Sequence, residues 1–167
     1  GFEYEPHVTQ LQPDRVDDDV AAAAEFLRTP EGGEPERLFT VGFCLGGRVS
    51  LLQAAAGIGA SGVIGLYPWP VGPHRSGLRA PADEAPRFAC PVLALYGEAD
   101  AGIPAEAREA FDRELEAAGV EHRSVVYAGA PHSFFDRKAA DFADASDGAW
   151  REMLTFMGSE GAAGEGS

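Results

Sequence analysis

The sequence predicts an α/β fold, in which helices cover both faces of a parallel sheet. Short apolar segments typical of buried strands alternate with longer segments whose apolar residues recur at helical spacing. Parallel strands need a crossover connection, usually a helix, and such strands are buried on both faces. At 167 residues the chain has the length of one domain with a sizeable core. We therefore expect residues 1–157 to form a single α/β domain.

The first half of the chain opens with an aperiodic segment, residues 1–12, which we expect to lie on the surface. Pro13 and a run of aspartates then mark the start of a helix, where negative charge suits the helix dipole. The predicted elements that follow are a helix over 14–28, a buried strand over 38–43, a helix over 45–57 and a strand over 61–67.

A long connection rich in proline and glycine, residues 68–89, separates the two halves of the chain. The predicted elements after it are a strand over 91–97, a helix over 104–119 with Pro104 at its start, a strand over 123–129 and a helix over 148–157. The composition of residues 158–167 is typical of a disordered tail.

Composition excludes several classes of partner. The formal net charge is −14, with 13 basic and 27 acidic residues, so nucleic acid phosphates and anionic membranes would be repelled. No targeting segment or long apolar span is visible, and only two cysteines occur; we therefore expect a cytoplasmic protein whose cysteines remain thiols. Metal-ligand spacing and phosphate-binding glycine loops are also missing from the sequence, and we expect no cofactor.

Cys44 lies in the segment VGFCLGGRVS, between a predicted strand and a predicted helix. A strand, a sharp turn and a helix around G-x-C-x-G-G form the pattern of a nucleophile elbow, in which side chains at Gly42 and Gly46 would collide with neighbouring backbone. The turn would expose the sulfur, direct the amide of Leu45 toward an oxyanion, and favour thiolate at the helix N-terminus. The alternative is that Cys44 is a buried packing residue, and this stretch alone does not decide between them.

Two further residues favour the nucleophile. Asp100 follows the strand over 91–97, and His132 follows the strand over 123–129. The carboxyl ends of parallel strands share one edge of a sheet, so these side chains and Cys44 are expected there together. The chain order nucleophile, acid, histidine is that of the α/β-hydrolase arrangement.

On these residues the chain resembles the dienelactone hydrolase family, whose elbow, acid loop and histidine segment read here GFCLGG, GEAD and HSF. The resemblance covers residues 2–157 and implies the α/β-hydrolase fold. It also implies hydrolysis of a small lactone or carboxylic ester through a cysteine thioacyl intermediate. Cys44 would be the nucleophile, His132 the base and Asp100 the group that orients it. Family members carry further strands before this part, so we expect the chain to be N-terminally incomplete and to lack their second oxyanion amide.

Several other residues are candidates near the predicted site. Apolar residues that flank the edge and are predicted to bind substrate, with core packing as the equal alternative, are Phe43, Tyr67, Trp69 and Phe134. His74, in the long connection, is a candidate for the site mouth. Family members that bind a substrate carboxylate use arginines near this edge, whereas here Asp136 stands at the fourth position after His132.

A different class of function stays open at this point. The chain is alternatively a truncated or non-catalytic homologue that acts as a binding or assembly module. Missing strands would leave an edge of the sheet exposed, and an exposed edge invites pairing with another chain. We therefore expect homo-oligomers through that edge, and a small ester or lactone as the other partner.

Overall fold

A four-stranded parallel sheet forms the centre of the computed structural model, which describes residues 3–158. Its strands are β1 (Phe39–Phe43), β2 (Gly62–Leu66), β3 (Val92–Gly97) and β4 (His122–Tyr127). Their spatial order is β1-β2-β3-β4, so each crossover places the next strand beside the previous one. The predicted α/β architecture is confirmed.

Six α-helices accompany these strands in the described residues: α1 (Tyr4–Thr9), α2 (Pro13–Leu27), α3 (Leu45–Leu52), α4 (Pro81–Glu84), α5 (Ala105–Ala117) and α6 (Ala143–Gly158). Helix α3 packs on β1 and β2 from one face, where Thr40 bonds Ser50. Helix α6 lies on the opposite face, where Phe156 packs edge-on against Phe39. Both faces of the sheet are therefore covered.

The core lies around the two central strands. Every residue of β2 and β3 is buried, as their uninterrupted apolar sequences predict for strands with helices on both faces. Phe111 and Leu115 of α5 and Met153 of α6 complete this core. The loop after β3, which carries Asp100 of the candidate site, is thus anchored to the buried core.

Two predictions about local structure are wrong. The opening segment is not aperiodic throughout, because residues 4–9 form α1 and bury Val8. Strand β1 is not buried: the side chains of Val41 and Phe43 are 43% and 39% exposed. The reason is that β1 lies at the edge of the described sheet, with a strand on one side only.

Other elements also differ from those predicted. Helix α3 ends at Leu52, and residues 53–56 continue as tighter turns up to Gly57, whose φ is +72°. Helix α6 starts at Ala143, and the long connection contains α4. The predicted tail, residues 158–167, lies outside the described residues except for Gly158. No helix within residues 3–158 combines the length and apolar character needed to cross a bilayer.

Arg48 of α3 fastens the long connection to the sheet. Its guanidinium is 1% exposed and has no ion-pair partner among the described residues. It donates hydrogen bonds to four backbone carbonyl oxygens, those of Trp69 (2.9 Å), Gly72 (2.7 Å), Leu78 (3.0 Å) and Arg79 (2.9 Å). Burial lowers the pKa of Arg48 to about 10, which still leaves a cation at neutral pH. One side chain therefore holds the backbone of residues 69–79 at four points.

We predict that Arg48→Met lowers the free energy of unfolding by roughly 2–4 kcal/mol, because it leaves buried carbonyl groups without donors. Urea denaturation measures the change. Arg87→Met is the matched control: Arg87 is 59% exposed and pairs with Glu84 at the surface, so its loss should cost less than about 1 kcal/mol. Equal effects of the two substitutions would contradict the role given to Arg48.

Candidate active site

The turn between β1 and α3 holds Cys44 in a conformation that non-glycine residues seldom adopt, with φ +54° and ψ −117°. Its N–H donates to the carbonyl of Leu66 at 3.0 Å, which extends the β1–β2 ladder to the turn itself. A Cβ on Gly42 would lie 1.9 Å from the carbonyl oxygen of Gly46, so only glycine fits at position 42. The side chain of Cys44 is consequently exposed at the carboxyl end of β1.

The expectation that a side chain at Gly46 would collide with neighbouring backbone is wrong. A Cβ on Gly46 would have no neighbour within 4 Å, whereas one on Gly47 would lie 3.0 Å from the carbonyl oxygen of Leu66. The close approach thus involves the backbone of Gly46, and the side-chain position without room is that of Gly47.

Asp100 and His132 meet at the ends of β3 and β4. The Nδ1–H of His132 donates to Oδ2 of Asp100 at 2.6 Å, and the backbone N–H of Gly102 donates to Oδ1 at 2.9 Å. Asp100 is 5% exposed, so little water competes for its oxygens. This hydrogen bond places the proton on Nδ1 of His132 and leaves Nε2 to interact with the thiol.

Cys44 and His132 shift each other's protonation. A hydrogen bond with His132 lowers the pKa of the Cys44 thiol despite burial, and the backbone N–H of Leu45 lowers it further. The hydrogen bond with Asp100, followed by that with Cys44, raises the pKa of His132 to about 10. Both shifts favour a thiolate beside an imidazolium, the form in which a cysteine is nucleophilic.

Tyr67 supports the imidazole from the side. Its ring centroid lies 4.9 Å from that of His132, and its hydroxyl donates to Oδ1 of Asp136 at 2.9 Å. Burial raises the pKa of Asp136, but hydrogen bonds from the backbone N–H of Arg137 and from Tyr67 outweigh it, so the net shift is downward and a carboxylate results. Cys44, Tyr67 and Ser133 all have positive φ, so backbone strain is concentrated around the histidine.

Two adjoining cavities open beside Cys44 and His132, and both residues line each of them. The smaller, of about 320 Å³, is further lined by Leu45, Arg48, Tyr67, Trp69, His74, Arg75, Gly102 and Ile103. The larger, of about 760 Å³, extends toward Tyr4, Phe43 and Asp136. A small organic molecule fits the first cavity with one end against the sulfur.

The structure brings most of the predicted site residues together. Cys44, Asp100 and His132 form one constellation, Leu45, Tyr67 and Trp69 line the smaller cavity, and Phe43 lines the larger one. Phe134 differs: its side chain is completely buried against Tyr67 and Tyr127, in the core and away from both cavities.

Arg48 and Arg75 also belong to the cavity wall, and neither was predicted from the sequence. A signal for Arg48 was available, since it follows Cys44 by one helical turn in an otherwise apolar helix segment. Within residues 3–158 no group of three or more histidine, cysteine, aspartate or glutamate side chains is arranged to hold a metal ion.

Comparison with known proteins identifies relatives over nearly the whole chain. Residues 4–161 match the model of the dienelactone hydrolase family. A protein of Yersinia pestis assigned as a carboxymethylenebutenolidase is 34% identical over 132 residues, which are 78% of this chain and 49% of that protein. A Salmonella typhimurium protein with the same assignment is 36% identical over 133 residues, again 78% of this chain and 49% of the relative.

The fold has relatives among solved structures as well. A crystal structure from Klebsiella pneumoniae, assigned as a dienelactone hydrolase, superposes with a TM-score of 0.82 at 31% identity and covers 89% of this chain and 62% of that one. The chain thus spans about half the length of the curated relatives it matches.

We predict that iodoacetamide alkylates Cys44 faster than Cys90, with a rate that rises through a pH below the ordinary thiol value near 8.5. The reason is that thiolate forms once the pH exceeds the lowered pKa of Cys44. Peptide mass spectrometry after timed alkylation across a pH series measures both rates. In His132→Ala the rise should move to higher pH for Cys44 and stay unchanged for Cys90; faster reaction of Cys90 in the wild type would contradict the assignment.

Proposed function

The chain belongs to the dienelactone hydrolase family, and from this membership we propose that it hydrolyses a small lactone or carboxylic ester with Cys44 as the nucleophile. The observation that carries the proposal is the arrangement of Cys44, Asp100 and His132 at the carboxyl ends of the strands. Asp100 holds His132 through a 2.6 Å hydrogen bond, and His132 and Cys44 line the same cavity, where His132 lowers the pKa of the thiol. Nucleophile, base and orienting acid are the parts that covalent acyl transfer requires.

The first half of the reaction forms a thioester. The Cys44 thiolate attacks the carbonyl carbon, the C–S bond forms, and the carbonyl oxygen becomes an oxyanion. As the tetrahedral intermediate collapses, the bond from carbon to the alkoxy oxygen breaks, and the imidazolium of His132 gives its Nε2 proton to that oxygen. For a lactone the released hydroxyl remains attached to the acyl group.

The second half releases the acid. Neutral His132 takes a proton from a water molecule, whose oxygen attacks the thioester carbon, and the C–S bond breaks to return Cys44 as thiolate. Asp100 keeps the imidazole in one tautomer and orientation and stabilises the imidazolium that forms in each half. The backbone N–H of Leu45, at the first residue of α3, is the donor for the oxyanion, and the N-terminal end of the helix adds to the favourable field.

The surroundings of the sulfur suggest that an apolar part of the acyl group packs in the smaller cavity. Tyr67, Trp69 and Ile103 supply an apolar lining to the smaller cavity. The larger cavity is bordered by charges of both signs, the carboxylate of Asp136 and the guanidinium groups of Arg75 and Arg137.

We predict that p-nitrophenyl acetate produces a burst of p-nitrophenol followed by slower turnover, because acylation precedes a separate hydrolysis step. Stopped-flow absorbance measures the burst, and intact-mass spectrometry detects the acetyl adduct. Cys44→Ala should abolish both, while Cys90→Ala, whose residue lines neither cavity, should retain both.

A further variant tests the hydrogen bond between Asp100 and His132. Asp100→Asn should lower turnover on the order of 10²–10⁴-fold with the fold retained, because the histidine then loses its fixed tautomer. Unchanged turnover in Cys44→Ala would contradict the proposal and favour a non-catalytic role for this chain.

We also propose that the 167-residue chain associates with a second copy through the edge of β1. The backbone of β1 pairs with β2 on one side only within the described residues, and its outward side chains Val41 and Phe43 are exposed. Phe43 stacks on Phe135, and Phe135 on Trp150, which is 52% exposed. An unpaired strand edge beside a continuous apolar surface favours pairing with another chain.

We predict that Val41→Lys shifts the chain from dimers or larger species toward the monomer, because a charged side chain on an edge strand opposes edge-to-edge pairing. Size-exclusion chromatography with light scattering over a concentration series measures the mass. Val126→Lys is the matched control, since Val126 is a comparably exposed valine on β4 at the opposite edge. A monodisperse wild-type monomer would contradict the proposed association.

A further inference from the structure

His74, in the connection between β2 and β3, lines both cavities that contain Cys44. The proposed reaction assigns it no role. Its side chain is half-buried, and the residue that holds it, Ser76, is 2% exposed. The ring is therefore anchored on the protein side and accessible from the cavities.

Two hydrogen bonds set the tautomer of His74. The backbone N–H of Ser76 donates to Nδ1 at 3.1 Å, so this nitrogen carries a lone pair. The hydroxyl of Ser76 lies 2.7 Å from the same nitrogen and accepts from the N–H of Leu78 at 3.3 Å, which leaves the hydroxyl proton directed to Nδ1. The single proton of a neutral ring must then be on Nε2.

The charges around His74 keep the ring neutral. Burial lowers its pKa, and the cations of Arg48 and Arg75 lower it further. Arg75 is itself paired with Glu5 at 2.7 Å at the surface, whereas Arg48 is buried with backbone carbonyls as its partners. A neutral Nε2–H is a directional donor that adds no further charge to a cavity that Arg48 and Arg75 already border.

The position of this donor is fixed by Arg48. The guanidinium binds the carbonyls of Gly72 and Leu78, which flank His74 in the chain. Arg48 belongs to the same helix that begins beside Cys44. One helix thus sets both the sulfur and the loop that carries the imidazole, which is the kind of preorganisation that a group contacting the reacting substrate needs.

We propose that His74 is a substrate-contacting residue, which donates a hydrogen bond from Nε2 to an oxygen of the ester or lactone bound at Cys44. The proposal rests on the proposed hydrolysis at Cys44. In this proposal the substrate has two hydrogen-bond donors, the N–H of Leu45 and Nε2 of His74. Substrates whose carbonyl or alkoxy oxygen remains accessible next to an apolar acyl group are then favoured.

The test compares variants that keep or remove the donor at the position of Nε2. The amide of glutamine reaches that position, the amide of asparagine reaches only that of Nδ1, and phenylalanine supplies neither. The second-order rate of Cys44 acylation by p-nitrophenyl acetate should fall by about 10-fold or more in His74→Phe and His74→Asn, and stay within about threefold in His74→Gln. Stopped-flow absorbance measures the rates on the 167-residue chain.

Two controls separate this role from others. Alkylation of Cys44 by iodoacetamide should be unchanged in all three variants, which reports an intact thiolate and fold. His122→Phe replaces another half-buried histidine, whose Nδ1 bonds the carbonyl of Val120 outside both cavities, and should acylate at the wild-type rate.

The outcomes distinguish the two proposals. A wild-type chain that is not acylated contradicts the proposed function. A wild-type chain that is acylated, with His74→Phe acylated at the same rate, contradicts only the role of His74. Equal losses in His74→Gln and His74→Phe would show that the imidazole shapes the loop without donating to the substrate, and would overturn the inference as well.

Discussion

The contact between the backbones of residues 42 and 46 is the constraint on which the site depends. Any side chain at Gly42 would overlap the carbonyl of Gly46, so β1 and α3 meet more closely than two ordinary residues allow. This closeness forces the intervening turn through Cys44 at positive φ and exposes its sulfur above the sheet. It also puts the first amide of α3 beside the sulfur, so the proposed nucleophile and the proposed oxyanion donor come from one backbone feature.

The imidazole of His132 is held in place by groups that water reaches poorly. Asp100 is buried and satisfied on both oxygens, so its negative charge acts on His132 with little screening. Tyr67 packs against the imidazole and is tied in turn to Asp136. His132 is thus restrained by one carboxylate through Nδ1 and by another through an aromatic ring, which leaves Nε2 as its single reactive position.

Much of the fold and the central constellation could be predicted from the sequence, because both follow from local patterns. The uninterrupted apolar runs of β2 and β3 predict strands buried on both faces, and the structure confirms them. Since parallel strands share one edge for their carboxyl ends, the chain positions of Cys44, Asp100 and His132 suffice to bring them together. The exposure of β1 escaped prediction because an apolar strand sequence does not reveal which neighbour is present.

The wall of the cavity could not be predicted, because its contacts join residues far apart in sequence through backbone atoms. Arg48 binds carbonyl oxygens 21 to 31 residues away, and any residue offers a carbonyl, so no side-chain pattern marks its partners. Tyr67 and Asp136 meet across 69 residues. The proposed reaction type can therefore be inferred from short motifs at strand ends, whereas the wall of the smaller cavity depends on the path of residues 69–79. A change in that loop can alter the cavity without moving Cys44, Asp100 or His132, since these are anchored in β1, β3 and β4.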